Sequence, residues 1–298
     1  MPTLEVGLPD GRVLEALVSG PEDGVLLVSH HGSPGAAVPF PAFEDAAAER
    51  GIRVVQYSRP GFGGSSRRPG RSVADCAADV AALADHLRAD RFLTIGGSGG
   101  GPHALACAAL LPERVLAAAT IAGVAPYDAE GLDWTDGMGE DNRIEYPTAA
   151  RDPEALVRWM EPHVANLVDV RPEEIVDEMR SLISGVDEAA LSGEFGEVVA
   201  ASFHAAFRDG PWGWYDDDLA FVAPWGFDLA EIRVPVTVWQ GAQDLMVPLA
   251  HGRWLADRVP GARAELRPEH GHLSLEVDAL GEILDGLLEA GGPGPAID

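Results

Sequence analysis

The stretch "LTIGGSGGGPHALACAAL", residues 93–110, places a run of glycines between a strand-like and a helix-like apolar segment. Within it, "GGSGG" at 96–100 fits the pattern G-x-S-x-G, with Ser98 at its centre. Glycines at such a junction indicate that the backbone turns more sharply, or passes closer to a neighbour, than a Cβ atom allows. The context predicts a nucleophile elbow that projects the serine hydroxyl outward, with the Gly99 amide directed at a developing oxyanion. Taken alone, the pattern also fits a tight turn without catalysis.

Phosphate-binding interpretations of the same glycines are weaker. "GGGPHA" at 99–104 matches the dinucleotide fingerprint G-x-G-x-x-A, but the chain reads "TIAGV" about 20 positions later, where an acidic residue is expected. All 21 Lys and Arg residues are arginine. A chain without lysine has neither a P-loop lysine nor a side-chain Schiff base. We therefore expect no cofactor.

Outward from this junction, strand-like and helix-like segments alternate. Strand-like runs stand at 25–32, 52–58, 91–96, 115–123, 234–241 and 262–268, and helix-like runs at about 41–50, 72–87, 249–259 and 275–288. Such alternation predicts an α/β fold with a mostly parallel central sheet flanked by helices. In the second helix, Ser72 is the predicted N-cap, with Asp75 three residues later.

The alternation stops between residues 126 and 228. This region has helical runs at 152–167 and 173–183 and contains five of the seven tryptophans. The sequence therefore predicts a helical insertion, 126–228, in a core made of residues 1–125 and 229–298.

The composition excludes several classes of partner. The formal net charge of −27 disfavours nucleic acids and anionic membranes as partners.

Cys76 and Cys107 fall in apolar helical patterns and predict reduced core residues rather than a disulfide. No HExxH or cysteine-rich spacing indicates a metal. The N-terminal "MPTLEVGLPDGR" has no long apolar run, so we expect neither a signal peptide nor an anchor, and a cytoplasmic protein. The sequence leaves the oligomeric state open.

A serine nucleophile needs a base, and the base needs an orienting carboxylate. Asp244, in "WQGAQDLMVP", and His272, in "PEHGHLSL", each follow a predicted strand. The chain order Ser98, Asp244, His272 is the order found on α/β-hydrolase scaffolds. These three residues are the predicted catalytic triad.

These pieces together resemble the α/β-hydrolase superfamily over nearly the whole chain apart from the insertion. The matching motifs are "HHGSPG" at 30–35, "RPGFGGS" at 59–65, "GGSGG" at 96–100, "GAQDLMVP" at 241–248 and "GH" at 271–272. The resemblance implies an α/β-hydrolase fold with a helical cap between strands six and seven. It also implies that the backbone amides of Ser33 and Gly99 form the oxyanion hole.

Other polar residues receive ordinary interpretations. The resemblance places a glycine directly before the catalytic histidine. Gly271 precedes His272 in this way, so His272 rather than His270 is the expected catalytic residue. His31 is expected to be a structural hydrogen-bonding residue. The acidic run at 216–218 is expected to be a solvated loop. These acids, with Glu194 and Glu197, are the insertion's candidates for binding a substrate amine.

The predicted function is hydrolysis of a small ester, lactone or amide through an acyl-enzyme, with short aryl esters preferred over aminoacyl anilides. Three alternatives stay open. They are an aminopeptidase resembling proline iminopeptidases, a C–C bond hydrolase, and a non-catalytic ligand receptor on the same fold. The substrate itself is not identified by the sequence.

Overall fold

A computed structural model describes residues 3–292 of the 298-residue chain. Residues 1–2 and 293–298 of the predicted core therefore lie outside the described part. Within residues 3–292, no helix combines the length and apolar character needed to cross a membrane.

Eight strands form one sheet, and twelve α-helices accompany it over the described residues. The strands are β1 (Leu4–Gly7), β2 (Val13–Ser19), β3 (Val25–His30), β4 (Ile52–Tyr57), β5 (Phe92–Gly97), β6 (Val115–Ile121), β7 (Val236–Gly241) and β8 (Arg263–Arg267). The helices are α1 (Pro41–Ala48), α2 (Cys76–His86), α3 (Gly101–Leu110), α4 (Glu140–Arg151), α5 (Pro153–Leu167), α6 (Ile175–Glu178), α7 (Gly185–Ala190), α8 (Glu194–Phe207), α9 (Trp212–Val222), α10 (Leu249–Arg258), α11 (Leu273–Asp278) and α12 (Leu280–Gly291).

The strand order β1-β2-β4-β3-β5-β6-β7-β8 places a topological switch point between β3 and β5. Strands β3 to β8 are parallel, and the antiparallel β1 and β2 form one edge. His30 of β3 pairs with Gly96 of β5, so the turns after these strands leave the sheet side by side. Ligands of open α/β sheets bind outside the carboxyl ends at such a point. The α/β fold and the mostly parallel sheet are thus as predicted.

The core is formed by strands whose successive residues are buried, which is the pattern of a sheet covered on both faces. Cys76 and Cys107 are buried and free, as expected. The predicted cap of the second helix is present, since the main-chain N–H of Ser72 donates to Asp75 at 2.8 Å in a capping box; it caps a 3₁₀ turn, Val73–Asp75, that leads into α2.

Helices α4 to α9 lie between β6 and β7, where the insertion was expected. Two predicted helices differ from the structure. Within the run 173–183, only α6 is α-helical. In the rest of the run, Ser181 donates its hydroxyl to Asp141 of α4, a contact between distant segments that the local helical pattern does not predict. The run 275–288 begins earlier and divides into α11 and α12, since the backbone of Ala279 leaves the helical conformation (ψ 3°).

The expectation of a solvated loop at 216–218 is wrong. These residues lie on α9 and are buried. Asp217 accepts from Arg59 at 2.7 Å and from Arg71 at 2.6 Å, and Arg67 pairs with the first of the three acids at 2.7 Å. Buried carboxylates persist when they are paired in this way. The arginines that pair with the acidic run therefore come from the loop after β4, which is distant from the run in sequence.

The third acid of the run, Asp218, lies in a different environment. Both oxygens of its carboxyl group are buried without a hydrogen-bond partner among the described residues, and the charge of Glu145 on α4 acts on it. Trp214 donates its indole N–H to Glu145 at 2.6 Å. Burial raises the pKa of Glu145 from 4.5 to about 7, and burial together with the charge of Glu145 raises the pKa of Asp218. The pair binds protons more tightly in the folded chain than in the unfolded one.

The substitution Asp218→Asn is therefore expected to stabilise the protein at alkaline pH. A raised carboxyl pKa gives stability that is complete below the unfolded value and is lost as the pH rises through the folded value, which for Asp218 lies well above 3.8. The variant lacks this loss, so it should gain stability on wild type between pH 5 and pH 8, by about 1.4 kcal/mol for each pH unit over which only the folded wild type keeps the proton. Urea unfolding at both pH values measures it.

Asp216→Asn is the matched control, because it removes the same charge from the same helix but breaks the ion pair with Arg67. It should give no gain at pH 8. An equal gain from both variants would attribute the effect to net charge and contradict the interpretation that burial raises the pKa of Asp218.

Candidate active site

Ser98 occupies a turn between β5 and α3 in which its backbone has a positive φ of 50°. A non-glycine residue rarely adopts this conformation, because its Cβ approaches the carbonyl oxygen. A Cβ atom at Gly96 would lie 2.1 Å from the carbonyl oxygen of Gly100, and one at Gly100 would lie 2.1 Å from that of His30. The flanking glycines are therefore required by close backbone contacts, as expected for a nucleophile elbow.

The turn after β3 packs against this elbow. A Cβ atom at Gly99 would lie 2.9 Å from the Cβ of Ser33, and one at Gly32 would lie 3.5 Å from the Cβ of Ser98. Among the hydrogen bonds of residues 3–292, none is donated by the main-chain N–H of Ser33. The two predicted oxyanion-hole residues therefore adjoin the serine, and the Ser33 amide has no acceptor in the described protein.

Asp244 and His272 come together after β7 and β8. The Nδ1 atom of His272 donates to Asp244 Oδ2 at 2.8 Å, and both side chains are buried. The other carboxylate oxygen accepts the main-chain N–H groups of Met246 and Val247, each at 2.8 Å. A fixed carboxylate on Nδ1 sets the tautomer and leaves Nε2 free to act as a base.

The electrostatics of this pair favour the imidazolium. Burial lowers the pKa of His272, but the negative charges of Asp244, Asp187 and Glu276 outweigh it and hold the pKa above 6.5. The site can therefore stabilise the positive charge that a general base acquires during catalysis.

A residue of the insertion, Asp187, holds the histidine loop, a role that no motif in the sequence predicts. Its carboxylate accepts the main-chain N–H groups of His272 at 3.1 Å and of Leu273 and Ser274 at 2.9 Å each. A Cβ atom at Gly271 would lie 2.2 Å from Asp187 Oδ2, so this acceptor requires the glycine before the histidine. The capping pattern "SGVD" at 184–187 is a local signal, but it indicates only the start of α7.

Ser98 and His272 line one cavity of about 250 Å³ between the core and the insertion. Much of its wall is apolar, including Phe40, Trp159, Phe195, Phe203 and Trp214. Among the described residues, four carboxyl groups and no arginine line it; the carboxyl groups are those of Asp141, Glu145, Glu178 and Glu276. The insertion acids named from the sequence, Glu194, Glu197 and those at 216–218, are not part of its wall.

Glu276 is a carboxyl group of the cavity wall that lies beside the elbow. A Cβ atom at Gly97 would lie 3.5 Å from its Oε2. Burial raises its pKa above 4.5, against the opposing effect of the His272 charge. Glu276 can therefore offer a negative charge or a hydrogen bond beside the serine, and sequence reasoning had no signal for it.

The remaining predicted residues fall outside the reacting groups. His31 forms structural hydrogen bonds, since its Nδ1 donates to the Gly32 carbonyl at 2.6 Å and its Nε2 accepts the Arg59 N–H at 3.0 Å. His270 Nε2 lies 3.7 Å from Asp278 rather than on the cavity wall. Over residues 3–292 there is no group of three or more His, Cys, Asp or Glu side chains arranged to hold a metal ion.

Comparisons with known proteins agree with this architecture. A family model described as alpha/beta hydrolase fold matches residues 25–163. An uncharacterized hydrolase, YcgS, of Bacillus subtilis (strain 168) is 28% identical over 292 residues, 94% of this chain and 96% of that protein. A non-heme chloroperoxidase of Streptomyces lividans is 35% identical over 243 residues, 78% of each protein. A thermophilic esterase structure from Thermogutta terrifontis shares the fold, with a TM-score of 0.69, 20% identity, and 96% of this chain and 97% of that chain covered.

Proposed function

Because this chain belongs to the α/β-hydrolase superfamily, we propose that it is a serine hydrolase that cleaves a small, largely apolar carboxylic ester through an acyl-enzyme. One observation supports the proposal most strongly. His272, which is hydrogen-bonded to Asp244, lines the same cavity as Ser98, whose backbone has a positive φ. The named hydrolase relative supports the reaction class.

In the proposed mechanism, Ser98 Oγ attacks the ester carbonyl while His272 Nε2 takes the hydroxyl proton. The amides of Gly99 and Ser33 hold the oxyanion of the tetrahedral intermediate. His272 returns the proton to the leaving alcohol as the C–O bond breaks. Water then attacks the acyl-enzyme by the same path and releases the acid. Asp244 keeps the imidazole oriented and stabilises its positive charge.

The insertion, residues 126–228, is proposed to act as a cap that excludes water and shapes the acyl pocket. Aromatic residues of α5, α8 and α9 supply much of the apolar wall. Asp187 of α7 would couple the cap to the histidine loop through three main-chain hydrogen bonds.

Glu276 favours a second candidate, an aminopeptidase. Selection of a free amine requires a carboxylate inside a closed pocket, because an exposed ion pair contributes only about 0–1 kcal/mol. Glu276 meets this condition by its position beside the elbow. The apolar wall favours the esterase, since an unpaired ammonium group loses its hydration there.

We expect a short aryl ester to be cleaved with a kcat/KM about 10²-fold above that of a matched prolyl or alanyl anilide, after correction for leaving-group reactivity. Steady-state kinetics on both substrates, with the amine free or acylated, measures this ratio. Under the esterase proposal, Glu276→Gln leaves the ratio unchanged. If the free-amine anilide is the better substrate and Glu276→Gln or acylation abolishes its turnover, the enzyme is an aminopeptidase instead.

A fluorophosphonate probe separates an enzyme from a receptor. An activated serine is phosphonylated at Ser98, which peptide mass spectrometry locates, whereas a catalytically silent receptor does not react. Absence of labelling in folded protein would contradict the proposed function for every substrate class.

A further inference from the structure

The side chain of Arg59, in the loop after β4, reaches the turn that follows β3. Its guanidinium is buried, with 1% of the side chain exposed. Nη1 donates to the carbonyl oxygen of His31, and Nη2 donates to that of Gly32 at 2.9 Å. Nη2 also donates to Asp217 on α9 at 2.7 Å. One guanidinium thus joins two consecutive carbonyls of this turn to the insertion.

The Gly32 carbonyl belongs to the same peptide group as the Ser33 N–H. A peptide group is planar, and in the trans form its C=O and N–H point in opposite directions. Fixing the oxygen toward Arg59 therefore fixes the N–H away from it. That N–H has no acceptor among residues 3–292, and Ser33 lines the cavity. A positive charge on the oxygen also polarises the group and strengthens its N–H as a donor.

We propose that Arg59 is a positioning residue that orients the Ser33 amide toward the oxyanion, and that Asp217 holds Arg59 in place. The inference rests on the proposed hydrolase function and adds a residue that never touches substrate.

The surrounding charges suit this role. Asp217 lies between two buried guanidinium groups, with Arg71 Nη1 at 2.6 Å. Burial raises the pKa of Asp217, but the charges of Arg59 and Arg71 outweigh it and hold the pKa well below 3.8. Burial and the charge of Arg59 lower the pKa values of His31 and His103, so both imidazoles beside the cluster are neutral. The positive charge on the turn therefore persists through the working pH range.

Arg71 offers a matched control. It is buried and pairs with the same carboxylate, but its other contacts are the carbonyls of Pro60 and Gly213. Arg59→Gln and Arg71→Gln each remove one buried charge from one ion network. Only the first removes hydrogen bonds from the turn that carries the Ser33 amide, where His31 Nδ1 remains as a second donor to the Gly32 carbonyl.

The experiment compares Arg59→Gln, Arg59→Lys and Arg71→Gln in ester hydrolysis, with each rate divided by the concentration of sites titrated by fluorophosphonate. We expect Arg59→Gln to lower kcat by about 10- to 100-fold with KM nearly unchanged, less than the 10²–10³ for deleting an oxyanion donor. Affinity for a trifluoromethyl ketone, whose adduct carries an oxyanion, should fall by a similar factor. Arg59→Lys keeps the positive charge but loses the paired N–H donors of the guanidinium, so its kcat should lie between those of wild type and Arg59→Gln. The kcat of Arg71→Gln should stay within about threefold of wild type.

Equal losses of kcat in the Arg59 and Arg71 variants would reduce Arg59 to a structural residue, and a normal kcat in both Arg59 variants would overturn the proposal. Arg59→Lys decides the matter if Arg59→Gln does not fold. Ser98→Ala is assayed in parallel. Hydrolysis by folded Ser98→Ala would refute the proposed function itself, whereas an inactive Ser98→Ala beside a fully active Arg59→Gln refutes only this inference.

Discussion

Ser98→Ala is expected to abolish ester hydrolysis, with a loss in kcat of at least about 10⁴-fold, while the fold is retained. The hydroxyl is the proposed nucleophile, and it makes no hydrogen bond within residues 3–292 that its loss would break. The free energy of unfolding should therefore change by less than about 0.5 kcal/mol. Steady-state kinetics and urea unfolding of the same preparation measure both quantities.

Ser98→Gly provides a second check on the elbow. At the positive φ of residue 98, glycine avoids the steric cost of a Cβ atom, about 1–2 kcal/mol. This gain offsets the destabilisation that glycine causes through its greater conformational entropy in the unfolded chain. This variant should be equally inactive and no less stable than wild type. Substantial hydrolysis by either folded variant would mean that another group attacks the substrate.

Asp244→Asn should lower kcat/KM by roughly 10⁴-fold, the effect of the equivalent change in a serine protease triad. Oδ1 is held by the N–H groups of Met246 and Val247, so the asparagine oxygen takes its place. The amide nitrogen then faces His272 Nδ1 as a donor and forces the imidazole proton onto Nε2. An imidazole protonated at Nε2 cannot accept the serine proton.

Gln240→Leu is the control for this variant. Gln240 donates to Asp244 Oδ2 at 2.9 Å without contacting the imidazole, so its loss leaves the tautomer unchanged. We expect a loss of less than about tenfold from it. A near-normal rate for Asp244→Asn would mean that another carboxylate orients the imidazole. Asp128, an acid that follows β6, is exposed and does not line the cavity.

The sheet, and the edge of it at which the three proposed catalytic residues lie, could be predicted because each depends on local patterns. Ser98, Asp244 and His272 each follow a strand, and the carboxyl ends of parallel strands lie at one edge of a sheet. The close contacts at Gly96 and Gly100 are equally local. The catalytic roles themselves stay predictions until the variants are assayed.

The rest depends on partners far away along the chain. Two of the buried acids of α9, Asp216 and Asp217, pair with arginines of the loop after β4, and Arg59 and Asp217 are 158 positions apart in the sequence. Asp187 meets the His272 amide across 85 residues. Local sequence patterns contain no information about such distant partners. The burial of the acidic run at 216–218, and the contact of Asp187 with the histidine loop, therefore could not be predicted from the neighbouring residues.

The ion network also limits how this protein can be recombined with its relatives. By chain position α9 belongs to the insertion, yet its Asp217 neutralises Arg59 and Arg71 of the loop after β4. A chimaera that received a foreign insertion without this acid would carry unpaired buried cations, at a cost of about 3–5 kcal/mol out of a typical total of 5–15. The unit that can be exchanged is therefore the insertion together with that loop, two segments that no single crossover would transfer.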